Sequence, residues 1–152
     1  MIKLVFGVML SLLVAGAPAF AVEKVEAPKS CQVCGMSRTS SAHSRVLIVY
    51  ADGSTFGTCS LHCLAAVMNE PHGRQIASVK VADFRTGRLI DARTAVWVIG
   101  SREKGSMAGV AQLAFSNGQE AQAFIKKNGG MVAAYEQALK LAGMEKSTEE
   151  KE

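Results

Sequence analysis

The sequence predicts an α+β domain built as two strand–strand–helix–strand repeats. Three observations predict it. Runs rich in β-branched residues alternate with two stretches whose apolar residues recur at helix spacing. An Asp-Gly pair at 52–53 sits between the first two strand candidates, where a tight hairpin turn needs positive φ at both central positions. Finally, "TFGTCSLHCLAAV" lines up with "LAFSNGQEAQAFI", so the second half repeats the plan of the first.

The chain has 152 residues, and residues 1–21 are expected to be removed. Lys3, an apolar run from Leu4 to Ala17, Pro18 and then Ala19-Phe20-Ala21 have the form of a secretory signal, with cleavage expected after Ala21. The run is too short for a comfortable membrane span. "LVAG" would open a lipoprotein box, but Ala17 stands where the lipid-bearing cysteine would be. A periplasmic protein without a stable membrane anchor is therefore expected. Residues 22–30 read as a short polar leader.

The first repeat is expected over 31–92. "RVLIVY" (45–50) and "STFGT" (54–58) are the hairpin strands. "SLHCLAAVMNE" (60–70) is helical, with Leu61, Leu64, Ala65 and Met68 on one face and Pro71 and Gly73 as the stop. "SVKVADF" (78–84) is the third strand, and Asp52, Asp83 and Asp91 read as turn or strand-end residues. The second repeat, 93–143, holds strands at 95–100 and 111–116, a helix at 119–128, a strand at 131–135 and a last helical turn or two. Ser116 and Gln119 fit a capping box, and Gly129-Gly130 ends the helix. Residues 144–152 read as a disordered, solvated tail.

Charge and composition exclude some roles. The formal charge is +4, or +3 once Lys3 is removed, and the basic residues are scattered. With aromatics at 6%, nothing points to nucleic acid. No paired carboxylates, nucleophile–base pair or phosphate loop calls for an enzyme.

Chemistry concentrates in the cysteines. Cys31 and Cys34 form C-x2-C; after 24 intervening residues Cys59 and Cys63 form C-x3-C around His62, itself a further candidate ligand. Two close pairs separated by about one hairpin point to one four-thiol site. Residues four apart share a helix face, so Cys59 and Cys63 can aim at one point, and the helix N-terminus favours a thiolate at Cys59. Soft ligands select Cu(I), zinc or iron–sulfur. Met36, two residues past Cys34, favours Cu(I), with Zn(II) as the alternative. Met107, in a glycine-flanked link, either closes over a soft metal or plugs a core gap. His43 and His72 read as surface residues. Two readings without metal stand beside this: short-loop or cross-linked disulfides that staple a partner-binding domain, and a thiol–disulfide oxidoreductase using Cys31 and Cys34.

Taken in order, "CQVCGM", "VADFRTGRLIDARTAVWVIGS", "SMAG", "AF" and "A..FIKKNGG" resemble the NosL family, accessory proteins of nitrous oxide reductase. The resemblance runs from about Cys31 to Tyr135. It implies a periplasmic Cu(I)-binding chaperone that supplies copper to a copper enzyme; the expected partner is a client copper protein or a metal transporter. It also implies two strand–strand–helix–strand repeats, a topology related to a domain of organomercurial lyase. The family's metal motif falls on Cys34 and Met36, and Met107 matches a further family methionine. Two features depart from the family: the lipid-bearing cysteine is missing, and a second cysteine pair is present. "FGTCSLHC" instead resembles the cysteine end of YHS and TRASH modules.

Overall fold

The computed structural model describes residues 25–69 and 73–149, with side chains through Met144. The expected signal peptide, the helix stop at Pro71, His72 and the last three residues lie outside the described residues. Among the described residues, no helix is long and apolar enough to cross a membrane.

Two antiparallel sheets repeat one topology. β1 (Val46–Tyr50) and β2 (Thr55–Thr58) form the hairpin, α1 (Leu61–Met68) follows, and β3 (Ile76–Ala82) returns to the other side of β1. The second unit does the same with β5 (Val96–Ile99), β6 (Gln112–Phe115), α2 (Gly118–Asn128) and β7 (Met131–Ala133). In both units the first strand is central: the orders are β2-β1-β3-β4 and β6-β5-β7. The two expected repeats are thus present. The hairpin turn falls where expected but is of another type: of Asp52 and Gly53 only Gly53 has positive φ, at 80. The Gly53 amide donates to the Tyr50 carbonyl, and Asp52 Oδ1 accepts from the Ser54 amide.

The fold adds two elements to the sequence reading. β4 (Leu89–Asp91) extends the first sheet beyond β3. It is short, and its Asp91 accepts from Arg93 and Thr94 amides as a turn residue does, which conceals it. α3 (Tyr135–Glu149) is longer than the expected turn or two, so the segment read as a disordered tail from 144 is helical as far as Glu149. The α2 cap also differs. Asn117, not Ser116, accepts from the Glu120 amide; the Ser116 amide donates to Asp83 Oδ2.

Alternation along β5 shares it between two cores. Trp97 packs with β1, α1 and the α3 residues Tyr135, Ala138 and Ala142, while Val98 packs with Leu113, Phe115, Ala121 and Phe124 under α2. The α3 backbone lies so close to α1 that a Cβ at Gly143 would sit 3.7 Å from that of Ala65. The first unit's helix is therefore covered by the last element of the second.

Candidate metal centre

The site forms where β2 hands over to α1. Cys59 directly follows β2, Ser60 caps the helix by accepting from the Cys63 amide, and Cys63 sits in the first turn. This cap brings the Cys59 and Cys63 sulfurs to 3.6 Å.

The first pair sits on a tight turn laid over that corner. The Cys31 amide donates to the Met36 carbonyl at 2.8 Å, and the Gly35 amide to the Cys31 carbonyl at 2.9 Å. Gly35 has φ 77, a left-handed geometry that glycine adopts without a Cβ clash. Gln32 ties the turn to β2 twice: its amide donates to the Gly57 carbonyl, and its Oε1 accepts from the Gly57 amide. As a result Cys34 Sγ lies 3.5 Å from Cys59 Sγ.

All four sulfurs lie within 4.8 Å of one another, and all four thiols are free. Three are buried; Cys34 alone of the four is exposed. The contact from Cys63 pulls the Cys59 thiol down to about 5, which favours its thiolate form. The same contact, together with burial, pushes Cys63 up. Cys34 is also raised, chiefly by desolvation.

The remaining predicted residues lie around this cluster. Met36 is exposed at the turn, its sulfur accepting from Ser41 Oγ at 3.5 Å. Ser106 Oγ donates to Ser41 Oγ at 2.8 Å, which links the loop of Met107 to Met36. Met107 is exposed and holds φ 55, strained for a non-glycine residue. It does not plug a core gap. His62 is not part of the sulfur cluster, and its Nδ1 is buried without a hydrogen-bond partner. His43 is exposed, with Nδ1 at 2.7 Å from the Phe84 carbonyl oxygen.

The sequence did not reveal the supports. Arg38 and Arg45 are fully buried within a polar stretch that reads as surface. Ser44 Oγ donates to the Cys59 carbonyl at 3.1 Å and accepts from the Ser106 amide at 3.2 Å. Glu26 upstream is the acidic partner that the two buried arginines share.

The NosL family model matches residues 21–140 of this chain. The chain belongs to the NosL family. A solved relative in fold is the crystal structure of the copper chaperone NosL from Shewanella denitrificans. It is 23% identical, with a TM-score of 0.59, over 78% of this chain and 96% of that one. No curated protein matches. This NosL-family chain thus carries its four-sulfur cluster on the fold of that chaperone, and the YHS and TRASH likeness stays a resemblance of sequence.

Proposed function

We propose that this protein is a periplasmic Cu(I)-binding metallochaperone that carries copper to, or withholds it from, a client copper protein or metal transporter, and that it is not an enzyme. One observation carries the reading: four free thiols from two separate segments converge within 4.8 Å. Thiolates are soft donors, and Cu(I) is the soft ion that they and a thioether favour. The NosL fold adds to it, since the solved relative bears the name of a copper chaperone.

Cargo must enter and leave, and the arrangement suits that. Cys34 is open to solvent while the other three sulfurs are buried, so an incoming donor reaches the ion from the Cys34 side. Met36 stands on the same turn and supplies a thioether at the rim, with Met107 on the neighbouring loop as a further donor. Cys31 completes the cluster, and His62 is a reserve donor beside it. Zn(II) is the competing ion. Tetrahedral zinc–thiolate bonds of about 2.3 Å set sulfurs roughly 3.8 Å apart, close to the 3.5 and 3.6 Å separations here. A thiol–disulfide reading also has an observation in its favour, the exposed Cys34 beside the Cys59 thiolate.

The test is an anaerobic Cu(I) titration of the reduced mature protein against a competing chelator, repeated with Zn(II). Cys34→Ser and Cys63→Ser are expected to weaken Cu(I) binding by about a hundredfold or more. Unchanged affinity in both variants would sink the site. Mass spectrometry of protein isolated from the periplasm separates the rivals: free thiols with added metal mass support the chaperone, and two disulfides support the staple. Insulin-reductase activity would support the oxidoreductase.

A further inference from the structure

A second, charged cluster adjoins the sulfur site through the backbone of Thr58, the residue before Cys59. Arg38 is fully buried, and all five of its N–H groups are used. Nε donates to the Thr58 carbonyl at 3.1 Å, next to Cys59. Nη1 donates to the Glu26 and Pro28 carbonyls at 3.1 and 2.6 Å. Nη2 donates to Glu26 Oε1 and, at 3.0 Å, to the Val46 carbonyl. Glu26 Oε2 also accepts from Arg45 Nε and Nη2, at 3.0 and 2.9 Å. Arg45 in turn reaches the Ala42 and Gly87 carbonyls.

Placement gives this cluster its meaning. Arg38 stands two residues past Met36, and its amide donates to the Lys29 carbonyl, with Ser30 and Ser37 paired between. The base of the cysteine turn is therefore closed, and its guanidinium fork joins that base to the last residue of β2. The fork lies flat on Gly57, where a Cβ would come within 2.7 Å of Arg38 Cζ. Gln32 provides the second tie from the same turn to the same strand.

Burying two guanidinium charges against one half-buried carboxylate is a poor route to stability, because desolvation offsets most of the attraction. Holding a loop in one register is a better use of a planar, five-donor fork. We propose that Glu26, Arg38, Arg45 and Gln32 form a positioning clamp for the metal site. It holds the Cys31–Cys34 turn over Cys59 and Cys63 at the separation where four sulfurs share one ion. The inference rests on the metal-binding reading above and adds the residues that set the affinity without ligating. Without the clamp, the turn must be ordered by the ion itself, and that ordering is subtracted from binding.

The experiment is a cycle of variants in the mature, reduced protein. Glu26→Gln keeps shape and one acceptor but removes the charge that two arginines share. Gln32→Ala removes the side-chain half of the second tie, leaving its amide bond to the Gly57 carbonyl, at an exposed position where the fold is not at stake. Each is measured for Cu(I) affinity in the parent and in a Cys31→Ser/Cys34→Ser background, where only the helix pair remains. The clamp predicts a loss of about tenfold in the parent, in the range seen when outer partners of metal ligands are removed, and less than about twofold in the background. Equal losses in both backgrounds, or none in the parent, would overturn it.

A metal-free arm separates this from failure of the copper reading. In Cys31→Ser/Cys63→Ser protein, Cys34 and Cys59 are equilibrated with glutathione. Two protein thiols and one oxidised glutathione give one protein disulfide and two reduced glutathiones. Glu26→Gln is expected to lower that equilibrium constant about tenfold, by the same loss of preorganisation. An unchanged constant would overturn the clamp even if copper binds, and a lowered one would uphold it even if copper does not.

Discussion

The two halves of the molecule share a strand order and differ at one corner. In the first unit the step from β2 to α1 is Cys59-Ser60; in the second the step from β6 to α2 is Ser116-Asn117. Ser60 and Asn117 are both N-caps, each accepting from the amide three residues on. Yet Cys59 is fully buried and Ser116 is exposed. The difference lies outside the units themselves. A cysteine turn at 31–36 is laid over the first corner, while the second is closed only from the side, by Asp83. The helix-start corner is the common scaffold, and the added turn converts it into a four-sulfur cluster.

The largest effect is expected from making the first corner resemble the second. Cys59→Ser should weaken Cu(I) binding by at least about a hundredfold while far-UV circular dichroism stays unchanged. A collapse of the fold would mean that the sulfur is needed for packing rather than for chemistry.

Next comes the carboxylate that closes the second corner. Asp83 Oδ1 accepts from the Arg85 and Thr86 amides and the Thr86 hydroxyl, and Oδ2 from the Ser116 amide. Asp83→Asn turns an N–H donor toward the Ser116 amide and should cost about 2–3 kcal/mol in denaturant unfolding. The first unit has its own carboxylate, Glu26. Burial opposes ionisation of both, but hydrogen bonds outweigh it: those of Arg45 and Arg38 hold Glu26 below its ordinary 4.5, and those of Thr86 and Ser116 hold Asp83 below its ordinary 3.8. A lowered folded value means fewer bound protons in the folded state. Their contribution is therefore full above those ordinary values and is lost as pH falls through the folded ones. Unfolding midpoints of metal-free protein measured from pH 6 downward should drop below about pH 4.5, and the Asp83→Asn variant should drop less.

Glycines give a smaller and paired contrast. Gly57→Ala should destabilise by about 1–3 kcal/mol, because the new methyl meets the Arg38 guanidinium. Gly118→Ala at the start of α2 meets open space and should stabilise by about 0.5 kcal/mol. Equal effects would mean that Arg38 can move aside. Smallest of all, Ser60→Ala and Asn117→Ala should each cost about 1 kcal/mol by thermal unfolding, as lost caps do.

Much of the fold was legible because periodicity and turn chemistry are local. "RVLIVY", Asp52-Gly53 and the repeated strand–helix pattern each announce themselves within a few residues. The convergence of the cysteine pairs was legible from spacing alone. β4 was not, since three residues ending in a turn-forming Asp carry no period. The length of α3 was hidden by its many charges. The buried arginines were illegible because their partners are mostly backbone carbonyls, which no sequence displays. Met107 and His62 show the limit on the site itself: composition marks them as donors, but only the fold shows that His62 stands outside the sulfur cluster and that Met107 sits on a loop tied to Met36 through Ser41.

The packing of α3 on α1 has a consequence for how the protein is made. The helix that seats Cys63 is an early segment of the chain, and the helix that covers it is the last. Synthesis runs from the N-terminus, so Leu64 and Ala65 stay uncovered until Ala138 and Ala142 arrive. The corner that seats Cys63 is therefore finished only when α3 has docked on α1, so the sulfur cluster depends on contacts made far along the chain.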